Sequence, residues 1–241
     1  MLEATFWGFV GGFALLIGAA VGLVWRIPTR LVGLAMAFGA GVLISAVAFE
    51  LVEEGFESSG SLPVVLGLVA GALAFFAGDW VLDHLGARHR KRSGDQQSGG
   101  SGGALVLGAM LDGIPESAVI GVSLVAGNGV GLPVVVAVFL SNVPEALSAT
   151  SGLRKAGHSA RWVLSLWLAV ALVSAAAAAA GYGLLGGAAP ATIAVVQAFA
   201  AGAILTMLAD TMMPEAFEDA GSTVGLATCA GFISAFLLHA V

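Results

Sequence analysis

The chain has 241 residues, 59% of them hydrophobic and 10% charged, with a mean hydropathy of +1.00. Soluble domains carry about 25% charged residues, so this composition excludes an ordinary soluble enzyme, a disordered chain and a nucleic-acid binder, and the net charge of −6 rests on too few residues to change that. The 35 glycines show no collagen period and fit helices packed closely in a bilayer, while the single cysteine, Cys229, gives no disulfide framework.

Crossing a bilayer takes about 20 mostly apolar residues. Eight runs meet that requirement: 5–25, 31–52, 62–83, 104–126, 132–153, 161–185, 190–213 and 222–240. They are continuous rather than alternating, which argues for helices over membrane strands. The first has no basic n-region and no A-x-A-like cleavage site, so it reads as a retained helix rather than a signal peptide. All nine basic residues fall in three connections. Arg26 and Arg30 follow helix 1; Arg88, Arg90, Lys91 and Arg92 follow helix 3; Arg154, Lys155 and Arg161 lie between helices 5 and 6. In an eight-helix chain these connections share one side. The positive-inside rule makes that side cytoplasmic and leaves both termini extracytoplasmic, in a multi-pass protein of the cell membrane.

The chain therefore divides into 1–84 (helices 1–3), a flexible cytoplasmic loop at 85–103, 104–153 (helices 4 and 5) and 154–241 (helices 6–8). The loop is polar and rich in Gly and Ser. His84 and His89 flank its start and read as solvated histidines, with metal capture as the alternative. Its basic cluster reads as a topology signal, with acidic lipid headgroups as a secondary partner. Gly-rich faces on helices 3 and 8, such as Gly67-x-x-x-Gly71, offer packing or homodimer seams.

Helix 2, AFGAGVLISAVAFELVEEGFE from Ala37, aligns without gaps to helix 7, AFAAGAILTMLADTMMPEAFE from Ala198. Apolar composition explains some matches. The coincidence of Glu54 with Glu215 and of Glu57 with Glu218 is harder to reach by chance. The two helices are an odd number of crossings apart, so they run oppositely through the membrane, the mark of an inverted repeat. Helices 1–3 and 6–8 would be the two units, around helices 4 and 5. The repeat sets an acidic cluster at each mouth: Glu50, Glu53, Glu54 and Glu57 outside, and Asp210, Glu215, Glu218 and Asp219 inside. Both would concentrate cations.

Helices 4 and 5 each carry a Pro-Glu dipeptide near mid-span, D-G-I-P-E-S from Asp112 and S-N-V-P-E-A from Ser141. Asp112, Glu116 and Glu145 lie in runs without basic residues, where a charge costs several kcal/mol. Either they are protonated or a cation sits among them. Asp112 and Glu116 share a helix face, as do Ser141 and Glu145, and Asn142 adds a carbonyl oxygen. Pro115 and Pro144 each remove a backbone donor, freeing the carbonyls of Leu111 and Leu140, which membrane depth tolerates only inside protein or at a cavity. The set is an oxygen-rich candidate cation site.

At these residues the chain resembles the ZIP (Zrt/Irt-like) family of divalent-metal transporters, whose helix-4 and helix-5 motifs resemble H-N-x-P-E-G and H/Q-E/D-x-P-E-G. The resemblance covers nearly the whole chain, including the AFxAG runs. It implies an all-α integral membrane protein of eight helices, with a metal centre on helices 4 and 5. By position it sets Asp112 for the helix-4 histidine, Gly113 for the asparagine and Glu116 for the bridging glutamate. On helix 5 it sets Ser141, Asn142 and Glu145 at the three ligand positions. Leu43 falls where some relatives offer a thioether, Asp79 matches an acid near the inner exit, and Asp210 stands at a position often in contact with metal. With no histidine in the core, a single site with hard oxygen ligands is implied, tilting selectivity towards Mn²⁺ or Fe²⁺ without excluding Zn²⁺.

The expected function is transport of a divalent metal ion, taken as substrate with no organic cofactor. The ion would pass from Glu50 and Glu54 to Asp112, Glu116, Ser141, Asn142 and Glu145, and out past Asp79, Asp210 and Glu215. The alternative is a proton- or organic-cation-coupled transporter using the same acids without metal. A serine hydrolase is disfavoured, because the histidines (His84, His89, His158 and His239) all lie outside the central spans. His239 reads as an interfacial anchor.

Overall fold

The computed structural model describes residues 1–85, 102–125 and 131–239, and they are helical nearly throughout. The helices are α1 (Leu2–Val24), α2 (29–59), α3 (Ser61–His84), α4 (Gly102–Ser123), α5 (Leu132–Lys155), α6 (Ala160–Leu185), α7 (190–220) and α8 (Val224–His239). Seven helical segments are long and apolar enough to cross a membrane, the last being Pro190–His239 taken as one piece. At 1.5 Å per residue those 50 residues exceed two hydrocarbon thicknesses. The segment breaks at Gly221, whose φ of 65° lies in the region that side chains avoid. The chain is thus an all-α protein with the spans of a multi-pass membrane protein.

The ends follow local chemistry. Ser159 caps α6 by accepting a hydrogen bond from the Trp162 amide. Pro133 and Pro190 open α5 and α7, where a missing N–H costs nothing. Gly60, with φ of 78°, closes α2. The predicted helix 2 stops at residue 52, whereas α2 runs on to Ser59, because an acidic face continues past the apolar run until glycine ends it. Only Leu85, Gly102 and Gly103 of the predicted loop fall within the described residues, the two glycines belonging to α4. His89, Arg88, Arg90, Lys91 and Arg92 lie outside them. His84 is held to its own helix, its Nδ1 lying 2.7 Å from the Trp80 carbonyl.

Neither α2 nor α7 is a plain α-helix. A π-helical stretch occupies Val47–Glu53 in α2 and Leu208–Met212 in α7. Val47 and Leu208 are partners in the alignment that pairs Ala37 with Ala198, and so are Gly60 and Gly221, which end the two helices. The packing repeats as well. α2 lies on α8 and α3 lies on α7. A Cβ at Gly41 would overlap the Thr228 carbonyl oxygen, and one at its partner Gly202 would overlap that of Leu68. Gly67 and Gly71 likewise face α7 within the chain.

α1 supports the centre of the bundle. It packs on both α5 and α6, and α4 packs on α6. Gly11 of α1 sits between Ile120 of α4 and Val138 of α5, at 3.1 and 3.3 Å from where its Cβ would be. α5 is enclosed at its middle, with Ser141, Asn142, Glu145, Ser148 and Thr150 all buried.

Candidate metal centre

Each sequence-predicted ligand lies in the protein interior. Asp112 and Glu116 on α4 are 2% and 1% exposed, and Glu145 on α5 is 4% exposed, so none of the three carboxylates points at lipid. Their helices run unbroken through Pro115 and Pro144. The carbonyl that Pro144 frees, that of Leu140, lies against Gly39 of α2, where a Cβ would come within 2.9 Å of the Ser141 Cα. The protein thus encloses this carbonyl, as membrane depth requires.

The two neutral candidates are oriented by the backbone. Asn142 Nδ2 donates to the Gly11 carbonyl at 3.0 Å, a buried bond from α5 to α1. That bond assigns the amide and leaves Oδ1 as the group able to accept or coordinate. The Ser141 hydroxyl donates to the Val138 carbonyl on its own helix at 3.0 Å, so it presents lone pairs rather than a proton. Gly113, beside Asp112, faces Ser174 and Val170 of α6. Among the described residues no three Asp, Glu, His or Cys side chains converge as a ready metal cage. The arrangement is therefore one of buried carboxylates dispersed along two helices, supplemented by amide, hydroxyl and backbone oxygens.

The acids of α2 and α7 differ in their surroundings. Glu215, expected at the inner mouth, is buried and accepts a hydrogen bond from Ser148 of α5 at 2.5 Å. Ser148 lies three residues after Glu145 on the same face of α5, so one helix face links Glu145 to the α7 acid. Glu54, the alignment partner of Glu215, accepts instead from Gln197 Nε2 of α7 at 3.2 Å. Asp79 on α3 and Asp210 on α7 lie close enough to repel each other, Asp210 being exposed and Asp79 partly buried. Glu50 Oε1 is 2.7 Å from His239 Nδ1, and the His239 ring stacks on Phe49. The expectation that His239 serves only as an anchor is therefore corrected: α8 returns it to the π-helical part of α2. Ser148 and Gln197 were not among the sequence candidates. Ser148 was marked by its spacing from Ser141 and Glu145, and nothing local marked Gln197.

No family model matches the chain. Over 217 residues it is 28% identical to a protein of Arabidopsis thaliana named "Putative zinc transporter", a match that takes in 86% of this chain and 34% of that protein. The chain thus spans about a third of the length of the curated relative it matches.

Proposed function

We propose that this chain carries divalent metal cations across the cell membrane through a site between α4 and α5. The observation that carries the reading is the burial of Glu116 and Glu145, each following a proline at mid-span of a membrane-length helix. A buried carboxylate needs a proton, a partner or a cation. Asp112, the Asn142 carbonyl oxygen and Ser141 complete an all-oxygen set. A cation there is held by a pair of carboxylates and neutral oxygens rather than by a closed cage, which suits cargo that must leave again. Such a set favours Mn²⁺ or Fe²⁺ and accepts Zn²⁺. The name of the Arabidopsis relative supports metal as the cargo.

The path runs from Glu50 and Glu54 at the outer mouth to the centre. It continues along α5 to Ser148 and Glu215, then past Asp79 and Asp210. Eight crossings with both termini extracytoplasmic follow if the break at Gly221 separates two spans. An inverted repeat of α1–α3 and α6–α8 is supported by the matched π-helical stretches, glycine ends and helix pairs. The decisive experiment is uptake of Mn²⁺, Fe²⁺, Zn²⁺ and Cd²⁺ into proteoliposomes. Glu116→Gln and Glu145→Gln should each reduce flux at least tenfold at unchanged protein incorporation. Wild-type flux in both variants would remove the site.

A further inference from the structure

A second feature is a cavity of about 550 Å³ where the end of α1, the start of α2 and the end of α5 meet. Among its lining residues are Trp25, Arg26, Thr29, Ser151, Arg154 and Lys155. Its lining includes three cationic side chains and two hydroxyls and no acidic side chain, a composition suited to an anion rather than to a metal cation. Among the described residues neither Arg26 nor Arg154 is paired with a carboxylate. Two uncompensated guanidinium groups on one concave wall create a local positive potential. Planar guanidinium forks match phosphate oxygens in pairs. The cavity lies at the ends of membrane-length helices, at headgroup depth on either assignment of sidedness. Trp25, 64% exposed, occupies the level where indole rings collect at bilayer interfaces, and Val24 beside it is 72% exposed, offering apolar surface for an acyl chain.

We propose that this cavity binds a phosphate ester, with Arg26 and Arg154 as the principal contacts and Lys155, Thr29 and Ser151 supporting. The position at the bilayer edge makes an anionic phospholipid headgroup the fitting source, and a soluble phosphate presents the same chemistry.

The test is native mass spectrometry of the whole purified chain with phosphatidylglycerol and with phosphatidylcholine of the same acyl chains. Wild type should retain phosphatidylglycerol at least tenfold more strongly. Arg26→Gln combined with Arg154→Gln should abolish that preference, and Arg161→Gln, outside the cavity, should keep it. Displacement by millimolar inorganic phosphate would support the site and assign it to a soluble phosphate; retention against phosphate would support it and assign it to the lipid. A wild-type protein that prefers neither phosphatidylglycerol nor phosphate overturns the proposal, as does a double variant with undiminished preference. Hydrogen exchange of wild type in nanodiscs checks the location without any variant. Phosphatidylglycerol should slow exchange in peptides covering 22–32 and 151–156, and equal exchange in both lipids overturns the assignment.

Discussion

Asn142 shows how a single side chain ties the candidate site to its scaffold. Its amide reaches Gly11 on α1, and the bond is buried. Replacing Asn142 by Leu removes this bond while the Gly11 carbonyl keeps its partner within α1, so the loss is that of one hydrogen bond, about 0.5–1.5 kcal/mol. We expect a lower melting temperature in detergent together with reduced metal uptake. Asn142→Gln should lose stability as well, because the longer side chain cannot hold the same bond in a packed position. Ser148→Ala removes the hydroxyl that donates to Glu215. Hydrogen bonds to charged groups are worth about 1.5–3 kcal/mol. The expected outcome is destabilisation within that range, with slower release of metal into the vesicle lumen than in wild type. At this scale the sequence showed much of the chemistry. Asp112, Glu116 and Glu145 stand out because charge is rare in hydrocarbon and each glutamate follows a proline. The partners of Asn142, Glu54 and Glu50 did not stand out. Gly11, Gln197 and His239 lie more than 100 residues from the groups they meet, and no local pattern encodes such contacts.

Hydropathy fixes where the helices lie, to within a few residues for most, but not how they are wound. The π-helical stretches at Val47–Glu53 and Leu208–Met212 leave no mark in apolar content. They depend on packing against neighbours that composition does not identify. The close helix crossings were partly legible as repeated AFxAG, but the partner of each glycine was not. Gly41 meets α8 and Gly202 meets α3. Gly41→Val and Gly202→Val should each force two helices apart, so both should lower thermal stability, by about 1–3 kcal/mol or more given typical overpacking costs. Gly225→Val is the matched control, because nothing lies within 4 Å of where its Cβ would be. It should melt within a few tenths of a kcal/mol of wild type. Comparable melting of all three variants would show that these crossings are not tightly packed.

For the whole molecule, the basic residues carry the expectation of sidedness, and the structure brings two of the three basic connections together. Arg26, Arg154 and Lys155 line one cavity although they are far apart in sequence. Sidedness itself is testable with the single native thiol removed. In a Cys229→Ser background, Ser58→Cys should react with a membrane-impermeant maleimide added outside intact cells, and Ser159→Cys only after permeabilisation. Labelling of both from outside would contradict the topology. The proposed repeat is visible as aligned sequence because the two segments share small residues and acids. The differences between copies were not visible. Glu54 is held by Gln197 and Glu215 by Ser148, so the two aligned acids sit in unlike environments.

The π-helical stretches impose a rule on chain length. A π-helical turn holds one residue more than an α-helical one, so deleting one residue within Val47–Glu53 and letting α winding resume would leave the tail of α2 nearly unturned, with Glu54 still aimed at Gln197. The same deletion in Leu208–Met212 would leave Glu215 facing Ser148. A deletion in the α-wound part of either helix, by contrast, would swing these acids by about 100°. In this molecule, a lost residue is absorbed most readily at two points well inside the hydrocarbon-length helices.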